Sequence, residues 1–355
     1  MAGPSPSRAA CPARRRPGWS SWSKRHGRCD PMLRRHWFLI TYAAIIGLAL
    51  AAPGVGRSGG LLHLDAAKSW LIAGIFLCAG ATLPAQRLAA SAGAWRAHLV
   101  VQATSFLVAP VVALGLALAG RHLGLSEAVC TGLIILGCLP TTIGSCVAIT
   151  GLAGGNQGLA LVNSVIGNLA GVVITPLLVL LGTGHHGAAP FGEVVIQLGT
   201  LAILPVIIAQ VVRLRAAALL DAHRGLLGVL SGGLLLTLIL MIFSDLAQRG
   251  LAHGAIPVLV AASVLHAATL AVAWLAAPLA TAERRDRIAI AVAASHKTAA
   301  LGIPLIGLLF AGSPDLALLI LPVALFHVVQ QVAGAVLAPA MQRWVERPCP
   351  SSATG

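Results

Sequence analysis

The chain has 355 residues, of which 57% are hydrophobic and only 10% charged, where an average soluble domain carries about a quarter. Its formal net charge is +14, yet aromatics make up 4% and supply no stacking surface, and the cations fall at the ends of apolar runs. The charge is therefore read as topology control and contact with anionic lipid, which excludes a nucleic-acid partner.

Residues 1–31 are rich in Pro, Ser and Arg with a single acid, Asp30, and are expected to form a disordered basic tail. Met32-Leu33-Arg34-Arg35 followed by an apolar run is a natural beginning for a first span. That start also has the look of a signal peptide, with small residues near Ala51 and Ala52. Removing it would leave an odd number of spans. From there, apolar runs near 20 residues follow one another to position 340, the length that crosses about 30 Å of hydrocarbon at 1.5 Å per residue. The expected fold class is an all-α integral membrane protein with ten transmembrane helices, at 37–52, 66–85, 97–119, 127–150, 156–182, 191–212, 226–245, 254–279, 287–310 and 315–340. Residues 32–345 form one transmembrane domain, with a first repeat over 37–182, a second over 191–340 and a C-terminal tail at 346–355.

The basic residues test this count. With the N-terminus inside, the first tail carries nine Lys and Arg and the other inside segments ten, from Arg87 and Arg96 to Arg343 and Arg347. The outside segments carry only Arg57, Lys68, Arg121 and Arg249. One miscounted helix would scramble that separation, so the pattern supports an even number of spans in the cytoplasmic membrane with both termini cytoplasmic. Of seven cysteines, Cys78, Cys130, Cys138 and Cys146 lie in apolar segments and Cys11, Cys29 and Cys349 in the tails, with no disulfide or metal spacing. The His185-His186 pair in an outer loop is too small a donor set for a metal site.

Two spans read poorly as plain helices. One contains Cys138-Leu139-Pro140-Thr141-Thr142-Ile143-Gly144-Ser145, where proline removes a backbone donor and glycine and hydroxyls follow. The other contains Ser295-His296-Lys297-Thr298 in mid-span, then Gly302-Ile303-Pro304. These are the fourth and ninth spans, the same place in each block of five. An odd-numbered block repeated in tandem inserts upside down the second time, so the reading is a five-plus-five inverted repeat whose broken helices cross near the midplane. Backbone groups freed at such breaks are tolerated only where protein or a polar cavity receives them.

Lys297 is the one cation inside a span, and a buried membrane cation marks function by default. Each of the ten acids falls in a tail, a loop or near a helix end. The ammonium is left with three options: the carbonyl end of a broken helix, loss of its proton, or an anion from outside the protein. Asn163, Ser164 and Asn168 follow the Gly-rich turn Gly151–Asn156, which returns the fifth span beside the broken fourth. His327 and Gln330, spaced i and i+3, are expected to hold helices together.

Leu139-Pro140-Thr141-Thr142 through Gly154-Gly155-Asn156, Thr175-Pro176-Leu177-Leu178, Ser295-His296-Lys297-Thr298 with Gly302-Ile303-Pro304, and Leu321-Pro322 to Phe326-His327 resemble the bile acid:sodium symporter family. The likeness is to its bacterial branch, similar to solute carrier ten family, member seven. It covers roughly residues 37–340 and implies a panel domain of helices one, two, six and seven. The core domain would be helices three to five and eight to ten, with ions beside the crossing in sodium-coupled members. Ser145 and Ser164 fall on sodium-ligand positions of that pattern. Cys146 stands where relatives place asparagine, Ala160 where they place serine, Val292 near their glutamate and His296 at a glutamine. These departures count against sodium as the coupling ion and leave a proton, through Lys297 or His296, as the alternative.

The reading is thus a symporter-like secondary transporter of a small organic anion, with Thr141, Thr142, Ser145, Asn163, Ser164, Ser295, His296, Lys297 and Thr298 lining its site. No enzyme is expected, since no in-span acid, nucleophile–base pair or metal motif is present. The alternative class is a regulatory membrane protein that affects transport indirectly.

Overall fold

The computed structural model describes residues 31–57, 59–83, 93–184, 190–248 and 255–347. The basic tail, Arg87, the His185-His186 pair, Arg249, the tail cysteines and residues 348–355 lie outside the described residues. The chain divides into two units, residues 1–38 and 39–355, and the contacts below belong to the second.

Every described element is helical: α1 Pro31–Ala51, α2 Pro53–Gly56, α3 Leu64–Ala81, α4 Trp95–His122, α5 Glu127–Cys138, α6 Gly144–Leu152, α7 Gln157–Thr183, α8 Phe191–Ala222, α9 Arg224–Gln248, α10 Ala255–Ala280, α11 Arg284–Ser295, α12 Ala299–Leu309 and α13 Leu316–Glu346. Seven helical stretches are long and apolar enough to cross a membrane, Arg284–Leu309 being counted as one, and shorter apolar helices cover Ile40–Ala51, Ala67–Ala81 and Glu127–Cys138. This is a multi-pass membrane protein. Each span expected from the sequence coincides with helix, but the fourth is two helices, α5 and α6, and the ninth is α11 and α12. The sixth runs ten residues past its expected end, to Ala222, through a non-helical residue at Ala216.

The helices pack in two groups. α3 lies between α8 and α9, and α2 packs on α9. In the other group α5 is flanked by α4 and α13, and α10 packs on α11 and α13. At the C-terminal end of α3, Gln210 of α8 donates to the carbonyls of Gly80 and Leu83, and Arg213 donates to that of Ala81. Arg213, one of the ten cations expected in inside segments, is thus a buried cap that also pairs with Asp221 at 2.6 Å.

The turn between α6 and α7 needs a left-handed residue and has Gly154, at φ 74°. Asn156 then caps α7, accepting from the backbone of Gly158 and Leu159 and donating to Asp286 at 2.8 Å. Small residues let helices approach the breaks closely. A Cβ on Gly171 of α7 would lie 2.8 Å from Cγ of Pro140, and one on Gly302 of α12 would lie 2.6 Å from a methyl of Leu139. Because the proline ring cannot rotate away, Gly171→Ala should lower stability by about 1–3 kcal/mol, read as earlier thermal unfolding of the purified protein in detergent.

Candidate functional site

The two breaks meet. α5 ends at Cys138 because Pro140 cannot continue the helix and forces Leu139 to extended geometry (φ −71°, ψ 148°). In the second break His296 and Thr298 are extended (ψ 146° and 122°). Pro304, the last residue of the expected irregular stretch, lies inside α12, and the helix runs through it. As the sixth residue of α12 it lacks the N–H that would bond to the Ala300 carbonyl one turn earlier. Residues 288–306 are buried without interruption.

The freed backbone groups find named partners. Thr298 N–H donates to the carbonyl of Pro140 at 2.9 Å, joining break to break. Asn168 Nδ2 donates to the carbonyl of Thr141 (2.7 Å) and Ser164 Oγ to that of Thr142 (3.1 Å). The carbonyl of Leu139 accepts from Lys297 Nζ at 2.7 Å. In the second break, Lys297 N–H donates to Gln330 Oε1 at 2.8 Å and the Lys297 carbonyl accepts from Gln330 Nε2 at 3.1 Å, so one side chain serves as a strand partner. His266 Nδ1 lies 3.1 Å from the carbonyl of Ser295 and caps α11.

Lys297 itself is 1% exposed. Its amine donates to the carbonyls of Ser105 (2.8 Å), Gly137 (2.9 Å) and Leu139 (2.7 Å). Of the three options open to it, the structure takes the carbonyl end of a broken helix. Two of the acceptors lie at the end of α5, where the helix dipole is negative. The third exists because α4 passes through a π turn at Thr104–Val108, in which Ala109 N–H bonds to the Thr104 carbonyl. In that register the donor for Ser105 would be Pro110, which has no N–H, so the Ser105 carbonyl is released to Lys297.

All nine expected site residues are buried, but they do not share one surface. Thr141, Thr142 and Ser164 build the first break, and Ser295 to Thr298 the second. Asn163 faces away, toward α4, where its Oδ1 is 3.0 Å from His98 Nδ1 and its carbonyl accepts from Gln102. Neighbouring helical residues point about 100° apart, which separates Asn163 from Ser164. Cys146 is turned toward the side chains of Ser164, Thr141 and Thr150. Ser145 Oγ and His296 Nε2 are buried without a hydrogen-bond partner.

Sequence reading missed Ser105 and assigned Gln330 and His266 to general helix packing. A signal for the first existed: Pro110 inside an apolar run must leave a carbonyl unpaired one turn before it. His327 gains a defined role through Gln330. With Gln330 Oε1 accepting from Lys297, its Nε2 is the donor to His327 Nδ1 at 2.8 Å. His327 therefore carries its proton on Nε2, and this buried donor has no partner, as is true of Gln331 Nε2 one turn on.

The family model described as SBF-like CPA transporter matches residues 36–343. The chain belongs to the SBF-like CPA transporter family. Among curated proteins it is similar to one named sodium/bile acid cotransporter 7 from Rattus norvegicus, 28% identical over 320 residues, which are 88% of this chain and 94% of the relative. Its Danio rerio counterpart is 29% identical over 320 residues, covering 88% and 95%. An uncharacterized protein of Pseudomonas aeruginosa is 32% identical over 283 residues, covering 77% and 82%. This SBF-like protein is a transporter and not an enzyme.

Gln330 carries much of the second break. Gln330→Leu orphans the Lys297 N–H and carbonyl and should cost about 1–3 kcal/mol for each group. Gln330→Glu keeps the acceptor and loses the donor, so it should recover part of the loss in the same thermal unfolding measurement.

Proposed function

We propose that this chain is a symporter-like secondary transporter of a small organic anion in the cytoplasmic membrane, with both termini cytoplasmic. It would work by alternating access on a ten-helix, five-plus-five inverted repeat. Support for the mechanism comes from the packing in two groups, with the joined breaks inside one of them, so that one group can rock against the other. A crevice lined by Phe76, Ile143, Val165, Asn168, Leu169, Ala202, Ile203 and Val206 runs between α3, α7, α8 and the first break. It has α3 and α8 on one side and α7 with the first break on the other.

The anion reading rests on one observation. Among the described residues the buried unpartnered groups include two donors, His327 Nε2–H and Gln331 Nε2, beside one acceptor, Asn168 Oδ1, and several hydroxyls, and no acid is buried. A buried site with free donors, hydroxyls and no carboxylate favours a ligand that supplies hydrogen-bond acceptors and negative charge. The charge of Lys297 contributes at longer range, since its own donors are taken by carbonyls.

Sodium fits the residues poorly. The Thr141 and Thr142 carbonyls are already engaged by Asn168 and Ser164. Val292 is apolar and buried where a carboxylate ligand would be needed, and a thiol stands at Cys146. A hard cation wants oxygen ligands and compensating charge. A proton is the coupling ion this reading prefers; with the Lys297 ammonium held by three carbonyls, His296 is the group left to carry it.

The test is solute uptake into proteoliposomes, screened over small carboxylates, sulfonates and phosphates, with and without a sodium gradient and at two pH values. Uptake of an anion that follows the pH gradient and ignores sodium is expected. His327→Ala and Gln331→Ala should each reduce it by about tenfold or more, and Lys297→Ala should abolish it. Uptake confined to neutral or cationic solutes would overturn the reading. No uptake of any solute, with a protein partner recovered instead, would favour an indirect regulatory role.

A further inference from the structure

We propose that the carbonyls of Ser105, Gly137 and Leu139 form a cage for a monovalent cation, which the Lys297 ammonium fills as a tethered plug. The claim goes beyond the transport reading, because it concerns what holds the two breaks together whatever the substrate. Three carbonyl oxygens from two helices converge on one point at 2.7–2.9 Å. Each comes from a place where regular helix would have consumed it: the π turn before Pro110 releases one, and the end of α5 at Pro140 releases the others. Three acceptors with no donor among them match the three N–H groups of an ammonium. A neutral amine would turn its lone pair toward one of the oxygens.

The plug is fixed from behind. Gln330 holds the backbone N–H and carbonyl of Lys297, and Thr298 N–H is bonded to Pro140. The stem of Lys297 spans from one break to the end of the helix that forms the other. An ammonium so held neutralises the negative end of α5 in a place water does not reach. A free cation of similar size, such as ammonium, methylammonium or potassium, has the same chemistry to offer to three carbonyl dipoles. Removing the side chain while keeping the backbone should therefore turn a plugged cage into a cation site.

The experiment compares thermal unfolding of the purified full chain with that of Lys297→Ala and Lys297→Met, in ammonium, methylammonium, potassium, sodium and choline chlorides at equal ionic strength. Lys297→Ala should unfold earlier than the unmodified chain in choline and regain several degrees, saturably, in ammonium or methylammonium. The unmodified chain should not respond. Lys297→Met, which fills the cage with an uncharged stem, should not respond either. A Lys297→Ala protein equally stable in all five salts overturns the proposal.

A second measurement on the unmodified chain covers the case in which the variants do not fold. The sequence has three lysines, Lys24, Lys68 and Lys297, so labelling lysine with nitrogen-15 at the ζ position gives a readable spectrum. One protected, slowly exchanging NH3+ signal is expected, and a spectrum without one overturns the proposal. Both readouts are independent of uptake. A failed solute screen with an intact cation response would sink the anion reading and leave the cage.

Discussion

A helix broken inside a membrane leaves backbone carbonyls with no water to receive them, and each unsatisfied group costs several kcal/mol. In this chain that constraint is met largely through one ammonium. Lys297 takes the carbonyls at the end of α5 and the one that the π turn of α4 releases. The remaining groups are shared out among Thr298, Asn168, Ser164, His266 and Gln330. Neither break closes on itself; each borrows its partners from other helices.

This has a mechanical consequence. Helices bonded through their breaks cannot slide independently, because any shift of α11 and α12 relative to α5 would strip the carbonyls of Gly137 and Leu139 from the ammonium together. The joined breaks are tied to α4, α7, α10 and α13, which supply the other partners. A carrier needs a rigid body that holds its site and a second surface to move against. The packing of α3 with α8 and α9 on the other side of the Phe76–Val206 crevice provides such a surface.

Much of this was legible in the residues. The position of the first break followed from Pro140, the burial of a lone cation from the absence of any in-span acid, and the return of α7 beside the break from Gly154 and Asn156. Other features were not. The helix α12 runs on through Pro304, and the groups that hold the second break open, Gln330 and Pro140, lie far from it in the chain. The sequence pattern grouped Asn163 with Ser164, whereas their 100° separation sends the first to His98 and Gln102. Ser105 was marked only indirectly, through Pro110, because a backbone carbonyl has no side-chain signature.

By itself, then, the sequence determined the membrane class, the helical spans and the chemical character of the buried centre. Those depend on local quantities: the length of apolar runs, the missing N–H of proline, and the charge of a lysine far from any carboxylate. Only the tertiary structure decided which groups meet. Ser105 and Lys297 are 192 positions apart, and Gln330 reaches Lys297 across 33. Pairings of that kind follow from how the helices pack, and no local propensity encodes them.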